Sequence, residues 1–399
     1  MAFLTKSQTA KKFGISPTTV NNWVKLTSKN KLNLQIASIG SKTVIMDSDH
    51  NQKLIQSLKL KGKKHITKSS QIIVEADPKF YEIFNKQQLT ELISSLTSRS
   101  EIPYKFSYMD QGAILWDEHY ENSTKNKNNF VSKEYQMIVD NMGNITNRLK
   151  NYKKINIVDI GCGNGLPVIP IVQKLIAENF EVSYIALDIS AKMLEINKEE
   201  FLKVFPNIEY KSYIADCDRI DISEILFFGK NAFDTNILLY LGGTLGNQSD
   251  TGRIYANLRD SMGLDDFLLV SEGIVSQFPD IHITKPNKYH AKRTTWILDL
   301  LGLKDLYSST ILDIFDPIKR QTTRKVEILQ NLTIKLKIGS KEVEIKLEKG
   351  EQILIFKFYW YQETEIIQQI VDQGFAIDQF CTNQDASCAL MMIRSRKMK

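Results

Sequence analysis

The sequence predicts an α/β fold with an open, mostly parallel sheet, a separate basic module at the N-terminus and a small α+β insertion late in the chain. Three observations support this prediction. Short apolar segments alternate with amphipathic segments from residue 155 onwards, a glycine-rich turn follows the first apolar segment, and positive charge is concentrated in the first 70 residues. Such alternation is typical of parallel strands that are connected by crossover helices.

Length and composition place the chain among globular proteins. Its 399 residues, 42% hydrophobic and 25% charged, predict two or three domains. The sequence contains no apolar segment of the roughly 18–20 residues that span a bilayer, and its N-terminus becomes polar too early for a signal peptide. The four cysteines lack the spacing of disulfide scaffolds or of zinc ligands. We therefore expect a cytoplasmic protein with reduced thiols, no metal and no membrane partner.

Positive charge is unevenly distributed along the chain. Residues 1–70 contain thirteen lysines, no arginine and two aspartates, a charge of +11, whereas the whole chain carries +6 and the remainder therefore −5. The same segment begins with the pattern of two short helices, because Thr5 can cap the first, Gly14 can form a turn and a second can start near Ser16. A candidate hairpin with a turn at Gly40 and a third helix follow.

This order of elements resembles the winged helix-turn-helix of MerR and excisionase-type proteins. The resemblance implies that the second helix lies in the major groove of DNA. It assigns base contacts to Thr18, Thr19, Asn21 and Asn22, and phosphate contacts to Lys11, Lys12 and Lys25. A lysine-rich helical cap that binds no nucleic acid stays the alternative, because helix pairs of this pattern also occur without DNA binding.

Five apolar segments predict the strands of the parallel sheet, at residues 155–160, 182–188, 208–214, 234–241 and 267–273. The first strand ends in Asp159-Ile-Gly-Cys-Gly-Asn-Gly165. Gly161, Gly163 and Gly165 allow the backbone to turn sharply and to approach a nucleoside cofactor that a Cβ would obstruct.

Two further acids end the next predicted strands. Asp188 closes the second strand, and Asp216, followed by Cys217, closes the third, at the edge where open α/β sheets bind ligands. Together with Asp159 and the GxGxG spacing, this pattern resembles the Rossmann-like class I S-adenosylmethionine-dependent methyltransferases. The resemblance implies S-adenosyl-L-methionine as the cofactor, with Asp188 on the ribose hydroxyls and Asp216 and Cys217 near the adenine. Helix capping by these acids is the simpler alternative.

The last predicted elements match the helix and antiparallel hairpin that complete the sheet in methyltransferases of this class. Residues 364–372 predict an amphipathic helix, residues 375–381 and 386–393 predict a hairpin, and three alternating segments before them predict a small meander in an inserted lobe. The predicted domains are residues 1–68, the winged helix-turn-helix; 69–135, linker helices and the first part of a substrate lobe; 136–275, core strands one to five; 276–361, the inserted α+β lobe; and 362–399, the closing helix and hairpin.

The loop after the fourth strand indicates the class of acceptor. It contains neither the (Asp/Asn)-Pro-Pro-aromatic motif of base-amine and glutamine methyltransferases nor the Pro-Cys pair of cytosine-carbon enzymes. Its sequence Leu241-Gly-Gly-Thr-Leu-Gly-Asn247 resembles the Leu-Gly-Ser-Thr-Ile-Gly-Asn loop of the histidine Nα-methyltransferase family of ergothioneine biosynthesis. The segments that begin at Tyr108 and Lys349 also match the family, so that the resemblance covers roughly residues 104–394.

The family resemblance implies roles for particular residues. Asn247 would hold the amino and carboxylate groups of an amino acid, and it forms with Tyr108 and Thr244 the candidate catalytic set. Tyr289 lies near the position of a further tyrosine of the family that binds carboxylate. Methyl transfer requires a neutral amine about 3 Å from the sulfonium methyl group, so that positioning matters more than a strong base.

Phe356 and Phe358 depart from the family pattern. They stand where the family has the glutamate that binds imidazole and a serine. Replacement of these two hydrogen-bonding side chains by phenylalanine predicts an acceptor other than free histidine. A larger or more apolar small-molecule amine or a peptide terminus would fit such a pocket. Two further hypotheses stay open: a DNA-binding regulator whose methyltransferase fold senses a ligand, and a nucleic-acid methyltransferase.

Overall fold

The computed structural model describes residues 2–28, 34–39, 42–64, 72–125, 129–219, 221–228, 234–248, 250–275, 282–284 and 288–396. The chain divides into two units, Met1–Gln71 and Ile72–Lys399. Across these described ranges, no helix is both long and apolar enough to cross a membrane.

The first unit combines three helices with a three-stranded sheet. Its elements are β1 (Ala2–Leu4), α1 (Lys6–Phe13), α2 (Pro17–Ser28), β2 (Ile36–Ile39), β3 (Lys42–Asp47) and α3 (Asp49–Lys64), and the strand order is β1-β3-β2. Thr5 caps α1 through a reciprocal pair of hydrogen bonds with Gln8. Gly14 ends that helix at a φ of +59°, which glycine adopts without a Cβ clash.

A small core joins the helices of the first unit to its sheet. Ala10 of α1, Val20 of α2 and Ile45 of β3 are buried against one another. The helices and strands follow the predicted order, although the predicted turn at Gly40 lies outside the described residues. That these elements form a winged helix-turn-helix and bind DNA stays a prediction.

The second unit begins with a strand and four helices that precede the central sheet. These are β4 (Ile72–Glu75), α4 (Pro78–Ile83), α5 (Lys86–Arg99), α6 (Gln111–Thr124) and α7 (Phe130–Leu149). The alternating part follows as β5 (Lys154–Ile160), α8 (Ile169–Ala177), β6 (Glu181–Asp188), α9 (Ala191–Val204), β7 (Glu209–Ile214), α10 (Ser223–Phe228), β8 (Asp234–Tyr240), α11 (Thr251–Ser261) and β9 (Phe267–Gly273).

The rest of the chain adds a second lobe and closes the sheet. Its elements are β10 (His282–Thr284), α12 (Lys288–Leu300), β11 (Leu312–Asp316), β12 (Gln321–Glu327), β13 (Leu332–Ile338), β14 (Lys341–Leu347), β15 (Gln352–Tyr359), α13 (Glu363–Asp372), β16 (Phe375–Thr382) and β17 (Cys388–Ser395).

The central sheet has seven strands in the order β16-β17-β9-β8-β5-β6-β7. β5 to β9 are parallel, and β17 inserts antiparallel between β9 and β16. The predicted parallel α/β sheet is therefore confirmed, with each of the five predicted strands within one residue of its observed bounds. Chain connections leave β5 in both directions, which creates a crevice at the C-terminal ends of the strands.

Two apolar clusters cover the faces of this sheet. Helices α7, α8 and α9 supply one cluster, in which Ile155 and Ile157 of β5 are fully buried. Helices α10, α11 and α13 supply the other, around Val158 and Ile160. Alternate residues of β5 thus point to opposite faces, and both faces are apolar because helices cover both.

The second lobe is built from two distant segments of the chain. β4 pairs in parallel with β13, so that Ile72 lies opposite Leu332. Helices α4, α5 and α12 share one buried cluster with β12, β13 and β15. The predicted meander is wrong: β13 and β14 form a hairpin beside β4, whereas β15 pairs with β12 in a separate sheet of order β10-β11-β12-β15.

Candidate functional site

A pocket of about 270 Å³ lies at the C-terminal ends of β5, β6 and β8. It is lined by most of the residues predicted to contact the cofactor, namely Asp159, Gly161, Gly163, Asp188, Asp216 and Cys217. It is also lined by most of those predicted to contact the acceptor, namely Tyr108, Thr244, Asn247, Phe356 and Phe358. Tyr289 belongs to α12, and its side chain lies outside the described residues.

The glycine turn after β5 takes three left-handed backbone conformations. The φ angles are +67° at Gly161, +52° at Gly163 and +75° at Gly165. A Cβ on Gly163 would lie 2.8 Å from Trp116, and one on Gly165 would lie 2.8 Å from the Asn197 amide. At Gly161 the nearest atom would be a Thr244 methyl carbon at 3.9 Å, which is an ordinary van der Waals distance. Gly165 therefore supports packing against α9, whereas Gly161 faces the pocket.

Asp188 ties the end of β6 to this turn. Its carboxylate accepts hydrogen bonds from the backbone N–H groups of Ser190, at 2.9 Å, and Gly163, at 3.4 Å. Burial raises the pKa of Asp188 to about 6, because the charged form loses its hydration, and the backbone donors oppose that shift.

Asp159 lies deeper, beneath the glycine turn. It accepts a hydrogen bond of 2.7 Å from the Tyr184 hydroxyl, and burial raises its pKa to about 7. Tyr184 also accepts from the Asn197 amide, which in turn donates to the carbonyl of Gly163. This buried network fixes the turn against α9.

Asp216 lies in an acidic cluster around one lysine that the sequence analysis missed. Lys105 Nζ is 2.7 Å from Asp216, 2.9 Å from Glu91 and 3.2 Å from Asp218. Cys217 lines the pocket beside them, and burial raises the pKa of its thiol, which keeps it neutral.

The loop after β8 is held by two buried carboxyl groups. The N–H of Gly242 donates to Glu134 at 2.6 Å, and the N–H of Leu245 donates to Glu272 at 3.0 Å. Burial raises the pKa of both carboxyl groups, most strongly at Glu272. The sequence analysis missed both; an acid within the apolar pattern of β9 was the available indication for Glu272.

Within this loop, Asn247 and Thr244 differ in what their side chains can do. The Thr244 hydroxyl donates to the Leu241 carbonyl at 2.7 Å and closes the turn. The Asn247 side-chain oxygen is buried and accepts no hydrogen bond within the part of the chain that the structure describes. Asn247 lines the pocket, and its unpaired oxygen is therefore a candidate acceptor for a hydrogen-bond donor of a ligand.

Phe356 and Phe358 lie on the same face of β15, because they are two residues apart on a strand. Phe358 packs against the loop after β8, and a Cβ on Gly246 would lie 2.8 Å from its ring. The Phe356 ring contacts Tyr104 edge to face, at 4.8 Å between centroids, and the Arg324 guanidinium lies 4.8 Å from its centroid.

Comparison with known proteins assigns the chain to a family. Residues 88–395 match the family described as histidine-specific methyltransferases that depend on S-adenosylmethionine. The protein is therefore an S-adenosylmethionine-dependent methyltransferase, and that molecule is its cofactor. More particularly, the chain belongs to the histidine-specific methyltransferase family.

Several of the similar solved structures are methyltransferases, at low sequence identity. One is an S-adenosylmethionine-dependent methyltransferase from Clostridium acetobutylicum ATCC 824, with 10% identity, a TM-score of 0.42 and coverage of 70% of this chain and 98% of that chain. Another is the sugar N-methyltransferase KedS8 from Streptoalloteichus sp ATCC 53650, with 10% identity, a TM-score of 0.38 and coverage of 70% and 93%. A search of curated proteins finds no match.

The role of Glu272 predicts a difference between two substitutions. We expect Glu272→Ala to lower the free energy of unfolding by about 1–3 kcal/mol, because the Leu245 N–H loses its buried acceptor. Glu272→Gln keeps a carbonyl oxygen at the same place and serves as the matched control. Urea unfolding followed by circular dichroism measures both, and an equal loss in the two variants would contradict this role.

Proposed function

We propose that this methyltransferase transfers its methyl group to the nitrogen of an amino-acid-like or peptide amine other than free histidine. The observation that carries the proposal is the buried Asn247 oxygen without a hydrogen-bond donor, in a loop that lines the pocket. An amine N–H can satisfy this oxygen and leave its lone pair directed at the methyl donor.

For the cofactor, we propose that its nucleoside lies over the glycine turn. Asp188 would accept hydrogen bonds from the ribose hydroxyls, and Asp216 and Cys217 would lie beside the adenine. Support comes from the positions of Gly161 and Asp188 at the pocket wall. S-adenosylmethionine supplies an activated methyl group, so that the protein's own residues need only orient the acceptor and exclude water.

An acceptor other than free histidine is favoured by the surroundings of Phe356. A carboxylate is absent at this position, and the Arg324 guanidinium lies 4.8 Å from the centroid of the ring. Cations and an aromatic ring offer no acceptor for an imidazole N–H, and an unpaired buried donor costs about 1–3 kcal/mol.

The role of Asn247 predicts a selective loss of turnover. Asn247→Ala is expected to lower kcat/KM for the amine acceptor by about 10- to 100-fold, the size of one oriented hydrogen bond, with unchanged affinity for S-adenosylmethionine. The assay follows labelled methyl transfer to a panel of amino acids, peptides and DNA, with Asn144→Ala on the exposed side of α7 as the control. Methylation of DNA and of no amine would overturn the proposal.

The raised pKa of Asp188 predicts a pH dependence of cofactor binding. Its carboxyl is ionised above about pH 6, and only the ionised form accepts hydrogen bonds from both ribose hydroxyls. We therefore expect the affinity for S-adenosylmethionine to fall as the pH decreases below about 6, by up to about tenfold per pH unit. In titration calorimetry, Asp188→Asn should remove the fall in affinity below about pH 6. The titration of Asp159 should persist in the unaltered protein and in the variant. Identical profiles would exclude Asp188 from the ribose site.

For the first unit, we propose DNA binding, and with it the alternative that the protein is a regulator whose methyltransferase fold senses a ligand. Support comes from its charge of +11 and from the exposure of Lys11, Thr18 and Lys25. The exposed pair Asn21 and Asn22 lies on α2 as well. Two of the predicted contact residues have partners within the unit: Lys12 pairs with Asp47 at 2.7 Å, and the Thr19 hydroxyl bonds Ser16 at 2.8 Å.

Removal of the two exposed lysines tests this proposal. The double substitution Lys11→Gln and Lys25→Gln is expected to weaken DNA binding and to reduce the slope of log affinity against log salt by about 2, roughly 0.9 for each lost phosphate contact. Fluorescence anisotropy over a salt series measures the slope, and Lys346→Gln, exposed on β14, is the control. Absent or salt-independent binding by the unaltered protein would exclude the DNA role.

A further inference from the structure

The pocket contains a buried arginine without an acidic partner. Arg293, on α12, is 5% exposed and lines the pocket. One of its terminal nitrogens donates to the Tyr104 hydroxyl, whereas its Nε is buried and makes no hydrogen bond. Within the described ranges, no carboxylate forms an ion pair with this guanidinium.

The other buried cations of this region are neutralised. Arg324, 1% exposed, lies 2.6 Å from Asp313, and Lys105 lies 2.7 Å from Asp216. A guanidinium stays protonated in proteins, and a buried charge is costly unless an opposite charge compensates it. Arg293 therefore places at the wall of the pocket a positive charge that no carboxylate of the described residues pairs with.

The groups that face Arg293 do not supply the missing negative charge. The Tyr104 and Tyr108 rings each lie 5.7 Å from the guanidinium carbon, and burial raises the pKa of Tyr108, which keeps its hydroxyl neutral. Burial and the two nearby arginines lower the pKa of His119 to about 4, so that its ring is neutral at pH 7.

The acids of the pocket wall have other hydrogen-bond donors. Asp188 accepts from the backbone of Ser190 and Gly163, and Glu134 accepts from the backbone of Gly242 and the hydroxyl of Ser271. Among the described residues, these acids therefore form no ion pair with Arg293, and a ligand anion can compensate its charge.

Arg293 and Asn247 both line the pocket, and their surroundings contact different residues of β15. Phe358 packs on the loop that carries Asn247, and Phe356, two residues along β15, packs on the Tyr104 ring that neighbours Arg293. Two residues of a strand span roughly 7 Å. A small molecule that carries both an amine and an acidic group can extend over a distance of this size.

We propose that the methyl acceptor carries an anionic group remote from its amine, a carboxylate or a phosphate, that pairs with Arg293 while the amine lies at Asn247. This inference rests on the proposed N-methyltransferase function and names its substrate class. Arg293 is then the residue that determines acceptor specificity. Carboxylates and phosphates both match the fork of a guanidinium, through paired charge-assisted hydrogen bonds.

Titration calorimetry on the full-length protein saturated with S-adenosylhomocysteine tests the anion site without turnover. The ligands are two pairs that differ in charge, L-glutamate with L-glutamine and O-phospho-L-serine with L-serine, and these pairs separate a carboxylate from a phosphate. The acidic member of at least one pair is expected to bind at least about 10-fold more tightly, as a charge-assisted hydrogen bond predicts. Arg293→Met should abolish this preference, and Arg293→Lys should retain part of it.

Two controls keep the result interpretable. Retained affinity of Arg293→Met for S-adenosylhomocysteine shows that the variant is folded, and Arg320→Met, which removes an arginine paired with Glu365 outside the pocket, should keep the preference. Equal binding of acidic and neutral ligands, or a preference that persists in Arg293→Met, overturns the proposal. If the anion site fails this test, methyl transfer to neutral amines by the same protein would still support the N-methyltransferase function. Charge-selective binding without methyl transfer to any amine would support the anion site and contradict the N-methyltransferase function.

Discussion

Buried carboxyl groups hold the two loops that form the pocket. Loops without regular structure leave backbone N–H groups that need acceptors once they are buried. In the glycine turn that acceptor is Asp188, and in the loop after β8 the acceptors are Glu134 and Glu272. Because Glu134 comes from α7 and Glu272 from β9, the helix before the sheet and its fifth parallel strand both contribute to the shape of one loop. Both loops of the pocket therefore depend on internal acids, although each loop is held by different ones.

Much of the pocket was predictable from the sequence because its residues follow strand ends. Asp159, Asp188 and Asp216 are far apart in the chain, yet parallel strands bring their C-terminal ends to one edge. The same rule places Asn247 beside the glycine turn. For residues of this kind, a correct assignment of the strands is sufficient to predict that they meet, which is why the sheet and its pocket could be predicted together.

The residues that the sequence did not reveal come from tertiary pairing. Arg293, Tyr104 and Lys105 reach the pocket because the second lobe joins a segment before the sheet to a segment after it. The wrong prediction of a meander has the same cause. Alternation shows that β13 and β15 are strands, but the choice of partner depends on β4 and β12, whose pairing no local pattern encodes.

The parallel pairing of β4 with β13 also sets the order in which the enzyme can form during synthesis. Ile72 and its partner Leu332 are separated by about 260 residues, and β9 receives its neighbour β17 only when the last strand has been made. A nascent chain that already displays the glycine turn and its aspartates thus lacks half of the lobe and has an open sheet edge. Such edges are sites of misassembly until they are covered. Competence for methyl transfer therefore requires the synthesis of β17, which completes the sheet.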